Sequence, residues 1–303
     1  MSSNAALDVA IGLMLLYLVL GLMGTVINEL IATFFGLRAS TLAKSLDGLL
    51  SSTTLKADFY NNGLISSSYS AAGDRHPSYL PARTFAMAVL ASLDVTQPIP
   101  GYKSVEGAVQ TLPDCDLRDV LLAQLATANG DLEKLRDGIA TWFDNFMDRA
   151  SGVYKRQMKW ISLVVGLALA TILGADTLQV TSSLWRDPVL RAAVAADAAS
   201  FVSQMKPPEP GGAPPAGSIE SQLQNLATYE AELRPLPLGW TKMPSGSDGL
   251  GGVAGWWILK AVGLALTGLA VSLGAPFWFD VLSKFVRIRG TGEKPERTSS
   301  SSD

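Results

Sequence analysis

Residues 9–27 read VAIGLMLLYLVLGLMGTVI, nineteen consecutive positions without a charge. A helix rises about 1.5 Å per residue, so roughly 20 such residues cross a hydrocarbon core of about 30 Å. Water is absent there, and a helix satisfies its own peptide groups. Apolar character resumes from Leu30 to Leu37 after Asn28 and Glu29. The stretch predicts a transmembrane helix over 9–37, with residues 1–8 as a short external N-terminus. It has no basic n-region and is longer than an ordinary signal-peptide core, so it reads as an uncleaved anchor.

Two further apolar stretches follow. Trp160 to Ala175, carried past Asp176 by Thr177 to Val180, predicts a second span over 160–180. It is the shortest of the three, and a re-entrant segment stays open as its alternative. Val253 to Phe279, interrupted only by Lys260, predicts the third span over 253–279. No basic residue precedes the first span, whereas Arg38 and Lys44 follow it. Arg149, Lys155, Arg156 and Lys159 precede the second, and Lys284, Arg287 and Arg289 follow the third. Cytoplasmic flanks retain positive charge. That rule puts the N-terminus outside, 38–159 in the cytoplasm, 181–252 outside, and 280–303 inside as a basic tail. The fold expected is an all-α integral membrane protein: three transmembrane helices, a helical cytoplasmic domain, and a small, partly disordered external region.

The cytoplasmic stretch shows helical periodicity over Ala39 to Leu50 and Pro81 to Leu93, separated by a Ser, Asn and Gly-rich loop. Ser104 and Asp116 are expected N-caps of two more helices. From Asp131, Leu132, Leu135, Ile139, Trp142, Phe146 and Val153 recur at spacings of three and four. No proline interrupts the chain before the second span, so helix and span form one rod of about 45 residues. The external region reads as a helix through Trp185 and Ala199, a Pro/Gly-rich linker over 206–217, and a helix from Glu220 to Leu233. The serine-ended tail after Gly290 reads as disordered.

Chemistry is sparsely written. With 24 basic and 27 acidic residues the chain carries no nucleic-acid footprint. The single cysteine, Cys115, excludes an internal disulfide, and the single histidine, His76, excludes a two-histidine metal site. Asp144 and Asp148 share a helix face without a third ligand and read as solvated. No phosphate loop, dinucleotide fingerprint or nucleophile elbow appears. No catalytic, cofactor-binding or metal-binding residue is assigned.

Within the spans, small residues recur every four positions at Ser162, Gly166, Ala170 and Gly174, a ridge that lets another helix approach closely; Gly263 and Thr267 repeat the device on the third span. Polar candidates are Asn28, Glu29, Asp176 and Lys260, since a charge at the bilayer centre costs about 3 kcal/mol unless paired or snorkelled. Arg156, Lys159 and Lys284 are possible partners of Glu29, and Asp176 or Asp8 of Lys260. Trp160, Trp256, Trp257, Phe277, Trp278 and Phe279 read as interfacial anchors.

Four strings, NELIATFFGLR (28–38), HPSYLPARTF (76–85), MDRASGVYK (147–155) and GAPFWFD (274–280), resemble a family of bacterial multi-pass membrane proteins with no assigned activity. The resemblance implies placement in the bacterial inner membrane and nothing catalytic. The function expected is a non-enzymatic membrane-anchored scaffold that contacts lipid and binds a protein partner through its cytoplasmic domain, with homo-oligomerisation and no nucleic acid. An oligomeric channel, transporter component or membrane-disrupting effector is the alternative, and an enzyme the third class.

Overall fold

Helix accounts for nearly all of the computed structural model, which describes residues 5–50, 53–71, 79–93, 101–205, 207, 219–240 and 249–291. The described residues contain no strand. In chain order the helices are α1 (Ala5–Phe34), α2 (Leu37–Leu49), α3 (Thr53–Asn61), α4 (Gly63–Ala71), α5 (Ala82–Leu93), α6 (Tyr102–Thr111) and α7 (Asp116–Ala128). They continue as α8 (Leu132–Leu173), α9 (Thr177–Arg186), α10 (Pro188–Gln204), α11 (Ile219–Leu233), α12 (Gly249–Ser272) and α13 (Ala275–Thr291). Three of them, α1, α8 and α12 from Gly252 onward, are long and apolar enough to cross a membrane.

The chain forms two compact units: Ala32–Gln157, and Met1–Ile31 with Met158–Asp303. The first is built on α2 to α7 and the N-terminal part of α8. Its core holds Phe59, Phe85 and Phe143, all fully buried, with the Phe85 and Phe143 rings stacked 3.9 Å apart. Leu117, Leu121, Leu135 and Ile139 complete it at helical spacing. The Ser and Asn-rich stretch expected as a loop instead includes α3 and α4, whose Leu55, Phe59 and Ile65 reach this core. Burial of these side chains overrides the low helix propensity of their neighbours. The caps also differ from expectation. Gly101 and Cys115 hold the N-cap positions of α6 and α7, so Ser104 lies inside α6 and Asp116 opens the first turn of α7, beside the positive end of the helix dipole.

The other unit is organised around α1, fully buried at Ile11, Leu16, Leu18, Val19 and Leu20. The 158–173 part of α8 runs antiparallel to it: Ser162 meets Asn28, and Leu169 faces Gly24. The expectation of one helix from 160 to 180 is not met, because α8 ends at Leu173. Gly174 takes φ 61, where a side chain is strained, and Ala175 N–H donates back to Ala170 O at 2.8 Å in a Schellman-type stop. Asp176 then caps a new helix, accepting from Leu178 N–H at 2.9 Å and Gln179 N–H at 3.2 Å. Helix α9 carries on along α1, with Thr177 at Tyr17 and Leu184 at Gly12. The single helix expected through Trp185 and Ala199 breaks at Asp187, which caps α10 through Val189 and Leu190 N–H, with Pro188 in the first turn.

The largest departure lies after the third apolar stretch. Instead of continuing to Phe279, α12 ends at Ser272 and Gly274 takes φ 87, with Gly274 N–H donating to Val271 O at 3.0 Å. The chain reverses, and α13 packs back along α1 in the opposite direction. A Cβ on Gly21 would stand 3.1 Å from Ala275 N, the Trp278 ring lies 4.6 Å from that of Tyr17, and Arg289 Nε pairs with Asp8 Oδ1 at 3.1 Å. Residues 280–291 are therefore a packed helix rather than a tail. Their C-terminal end lies beside the N-terminal end of α1. The linker 206–217 lies outside the described residues except for Pro207, as do His76 and 292–303.

Candidate functional site

Where α8 stops and α9 starts, three helices bring buried polar groups together in otherwise apolar surroundings. Thr177 and Thr267 hydroxyls lie 2.8 Å apart, Tyr17 Oη lies 2.9 Å from Thr177 Oγ1, and Thr267 Oγ1 donates to Gly263 O at 3.0 Å. Each hydroxyl has one proton. Since Thr267 gives its proton to a carbonyl, Thr177 donates to Thr267 and Tyr17 donates to Thr177. The chain of hydroxyls points one way and ends on a peptide oxygen, which holds the proton donor in place without taking the proton. Such a relay ties α1, α9 and α12 together, each bond contributing about 1 kcal/mol.

One helical turn away sits the only buried lysine among the described residues. Lys260 is 4 % exposed and Asp176 5 %, with Lys260 Nζ 3.4 Å from Asp176 Oδ2. Lys260 also donates to Gln179 Oε1 at 2.9 Å and stands 5.3 Å from the Trp240 ring centroid. The ammonium thus has a carboxylate, an amide oxygen and an aromatic face around it. Asp8, the other partner considered for Lys260, is taken by Arg289. Burying an ion pair is seldom a net gain, yet stranding either partner costs about 3–5 kcal/mol. The cluster therefore fixes register more than it adds stability.

Residues 236–240 strap the break from outside. Gln179 Nε2 donates to Pro237 O at 3.2 Å, Gly239 N–H to Gly174 O at 3.3 Å, and Trp240 Nε1 to Thr171 O at 2.9 Å. The last two of these bonds satisfy carbonyls left over at the end of α8. Beside the strap a cleft of about 390 Å³ is lined by Gln179, Ser182, Ser183, Trp256, Leu259 and Lys260.

The small residues of α8 face these contacts. A Cβ on Gly166 would come within 2.8 Å of Gly268 O, Ala170 is fully buried, and a Cβ on Gly174 would meet the Gly239 backbone. Gly263 leaves the space that Asp176 Oδ1 fills. Ser162 accepts from Asn28 Nδ2 at 2.8 Å, leaving Asn28 Oδ1 buried without a partner among the described residues; Glu29 beside it is half-buried. Lys284, considered for Glu29, sits on α13 between Trp278 and Arg289, beside the N-terminal half of α1 and away from Glu29.

The aromatic anchors divide. Trp160 is 66 % exposed and Trp257 50 %, while Trp256 is half-buried with its ring 5.0 Å from Trp257. Phe277 is exposed, but the expected belt does not extend to its neighbours. Trp278 donates to Ala270 O at 2.6 Å and packs on Tyr17, and Phe279 is buried, because the reversal at Gly274 turns both toward α1. Sequence reasoning missed Tyr17, Thr177, Gln179 and Trp240 as members of the cluster. The order Gly174, Ala175, Asp176 carries a stop-and-cap signal that locates the break; nothing local marks Trp240. Compared with known proteins, the chain matches no family model, no curated protein and no solved structure.

Proposed function

We propose that this chain is a non-enzymatic scaffold of the bacterial inner membrane. One unit is held in lipid, and residues 32–157 present a helical domain to a protein partner in the cytoplasm. The supporting observation is the outward surface of α8 and α12. Trp160, Val164, Ile172, Ile258, Leu259, Val262, Leu266 and Leu269 are exposed, although α1 behind them is buried. An apolar surface of this extent suits hydrocarbon and is poorly suited to water. The basic residues Arg38, Lys44, Arg149, Lys155, Arg156 and Lys159 flank the ends of α1 and α8 that lead into 32–157, which supports the cytoplasmic side for that domain. The two buried charges of the polar cluster, Lys260 and Asp176, are matched to each other, in keeping with a structural role.

An oligomeric channel is the second reading, favoured by Asn28 Oδ1, a buried acceptor without a partner among the described residues, next to Glu29. Reconstitution into vesicles loaded with an ion-sensitive dye separates the two. The scaffold passes no ions under gradient or potential, and Glu29→Gln changes stability alone. Wild-type flux abolished by Glu29→Gln would replace the scaffold with the channel.

A further inference from the structure

The membrane-facing unit has two unlike sides at one depth. Ala275, Trp278 and Arg289 of α13 sit beside Gly21, Tyr17 and Asp8 of α1. Asp280 and Lys284, both exposed, therefore lie beside the stretch of α1 between Tyr17 and Asp8. Helix α12 runs the other way, with Thr267 bonded to Thr177 next to Tyr17 and Val271 beside Gly24. Ten residues earlier, about 15 Å toward the N-terminal end of α1, is Trp257. The exposed residues Trp257, Ile258, Val262 and Leu266 thus share the depth of Asp280 and Lys284. If the first group faces lipid, the second needs a partner at that depth, because unpaired charge is strongly disfavoured in hydrocarbon.

Beside α13, α10 exposes Ala192, Ala193, Ala196, Asp197 and Ser200, a surface of small side chains broken by one acid. Between the two helices a groove of about 390 Å³ is bordered by Ala199, Ser203, Asp280 and Lys284. We infer that the α10 and α13 face seats a second copy of this chain, in the same orientation in the bilayer. Rotation about an axis along the membrane normal preserves depth, so α10 of one copy meets α13 of the next. Asp197, two residues before Ala199, then faces Lys284 of the neighbour. Around a two-fold axis the pairing occurs twice; around a ring it recurs at every interface. The small side chains of α10 permit the close backbone approach by which helices associate in lipid. This inference rests on the membrane reading proposed above.

The test uses the full chain carrying Cys115→Ser. Two differently tagged copies are co-expressed, one with Asp197→Cys and the other with Lys284→Cys, and membranes are oxidised. The expected result is a crosslinked species carrying both tags. In detergent the parent chain has the mass of two or more copies. Asp197→Lys and Lys284→Glu each weaken association by about tenfold or more, and combining the reversals restores it. A single-copy mass without crosslinking overturns the inference, as does association indifferent to both reversals. Full labelling of Asp197→Cys and Lys284→Cys by an aqueous maleimide also overturns it, because the face then meets water. A control at Val262→Cys tells the two readings apart. Shielding there leaves the membrane reading intact even if the second copy fails, whereas labelling there overturns the membrane reading and this inference with it.

Discussion

Lys260 and Asp176 form a buried pair whose coupling can be measured directly. Each is about 95 % buried, and each is the other's only charged partner among the described residues. Lys260→Met strands the carboxylate, and its expected effect is a loss of about 3–5 kcal/mol of stability. Adding Asp176→Asn, which keeps the cap on α9, is expected to recover most of that loss. A double-mutant cycle by thermal or denaturant unfolding in detergent measures the coupling. Additive losses would mean that the pair does not interact. Gly166 is a second test at this scale. Gly166→Leu drives a side chain into Gly268 O and Val271, whereas Leu167→Phe enlarges a side chain that is already one-third exposed. The glycine variant is expected to lose about 1–3 kcal/mol more in the same assay.

Among elements, α13 is where sequence and structure part most widely. Apolar runs located α1, the lipid-length part of α8 and α12, since length and hydropathy are local properties. The amphipathic stripe from Leu132 onward gave the long α8 for the same reason. Periodicity could not reveal that Gly274 reverses the chain, because Gly-Ala-Pro permits both a kink and a full turn. The choice is made at a distance, by Tyr17 receiving Trp278 and Asp8 receiving Arg289. The polar cluster was legible in part. Asp176 and Lys260 stood out as charges in apolar runs, but the hydroxyls of Tyr17, Thr177 and Thr267 are ordinary residues until packing joins them. The reversal has its own consequence: reporters fused before Asp8 and after Thr291 should read the same side of the membrane, opposite to one placed at 51–52. Opposite readings at the two ends would mean that α13 does not fold back. Trp278→Ala removes both the bond to Ala270 O and the packing on Tyr17, and is expected to cost about 3–5 kcal/mol while the α2 to α7 core keeps its own unfolding transition.

At the scale of the whole molecule, the proposed membrane placement requires α8 and α12 to turn apolar side chains to lipid around a buried α1. Exposed Ile172 and Val262 are the reporters, one on each helix. A nitroxide is attached at Ile172→Cys or Val262→Cys in a Cys115→Ser background, and the full chain is reconstituted in vesicles. Collision rates with oxygen, which concentrates in hydrocarbon, are then compared with those of a water-soluble nickel chelate. Oxygen is expected to dominate at both positions. Dominance of the nickel chelate at either one would place that helix in water and contradict the membrane placement.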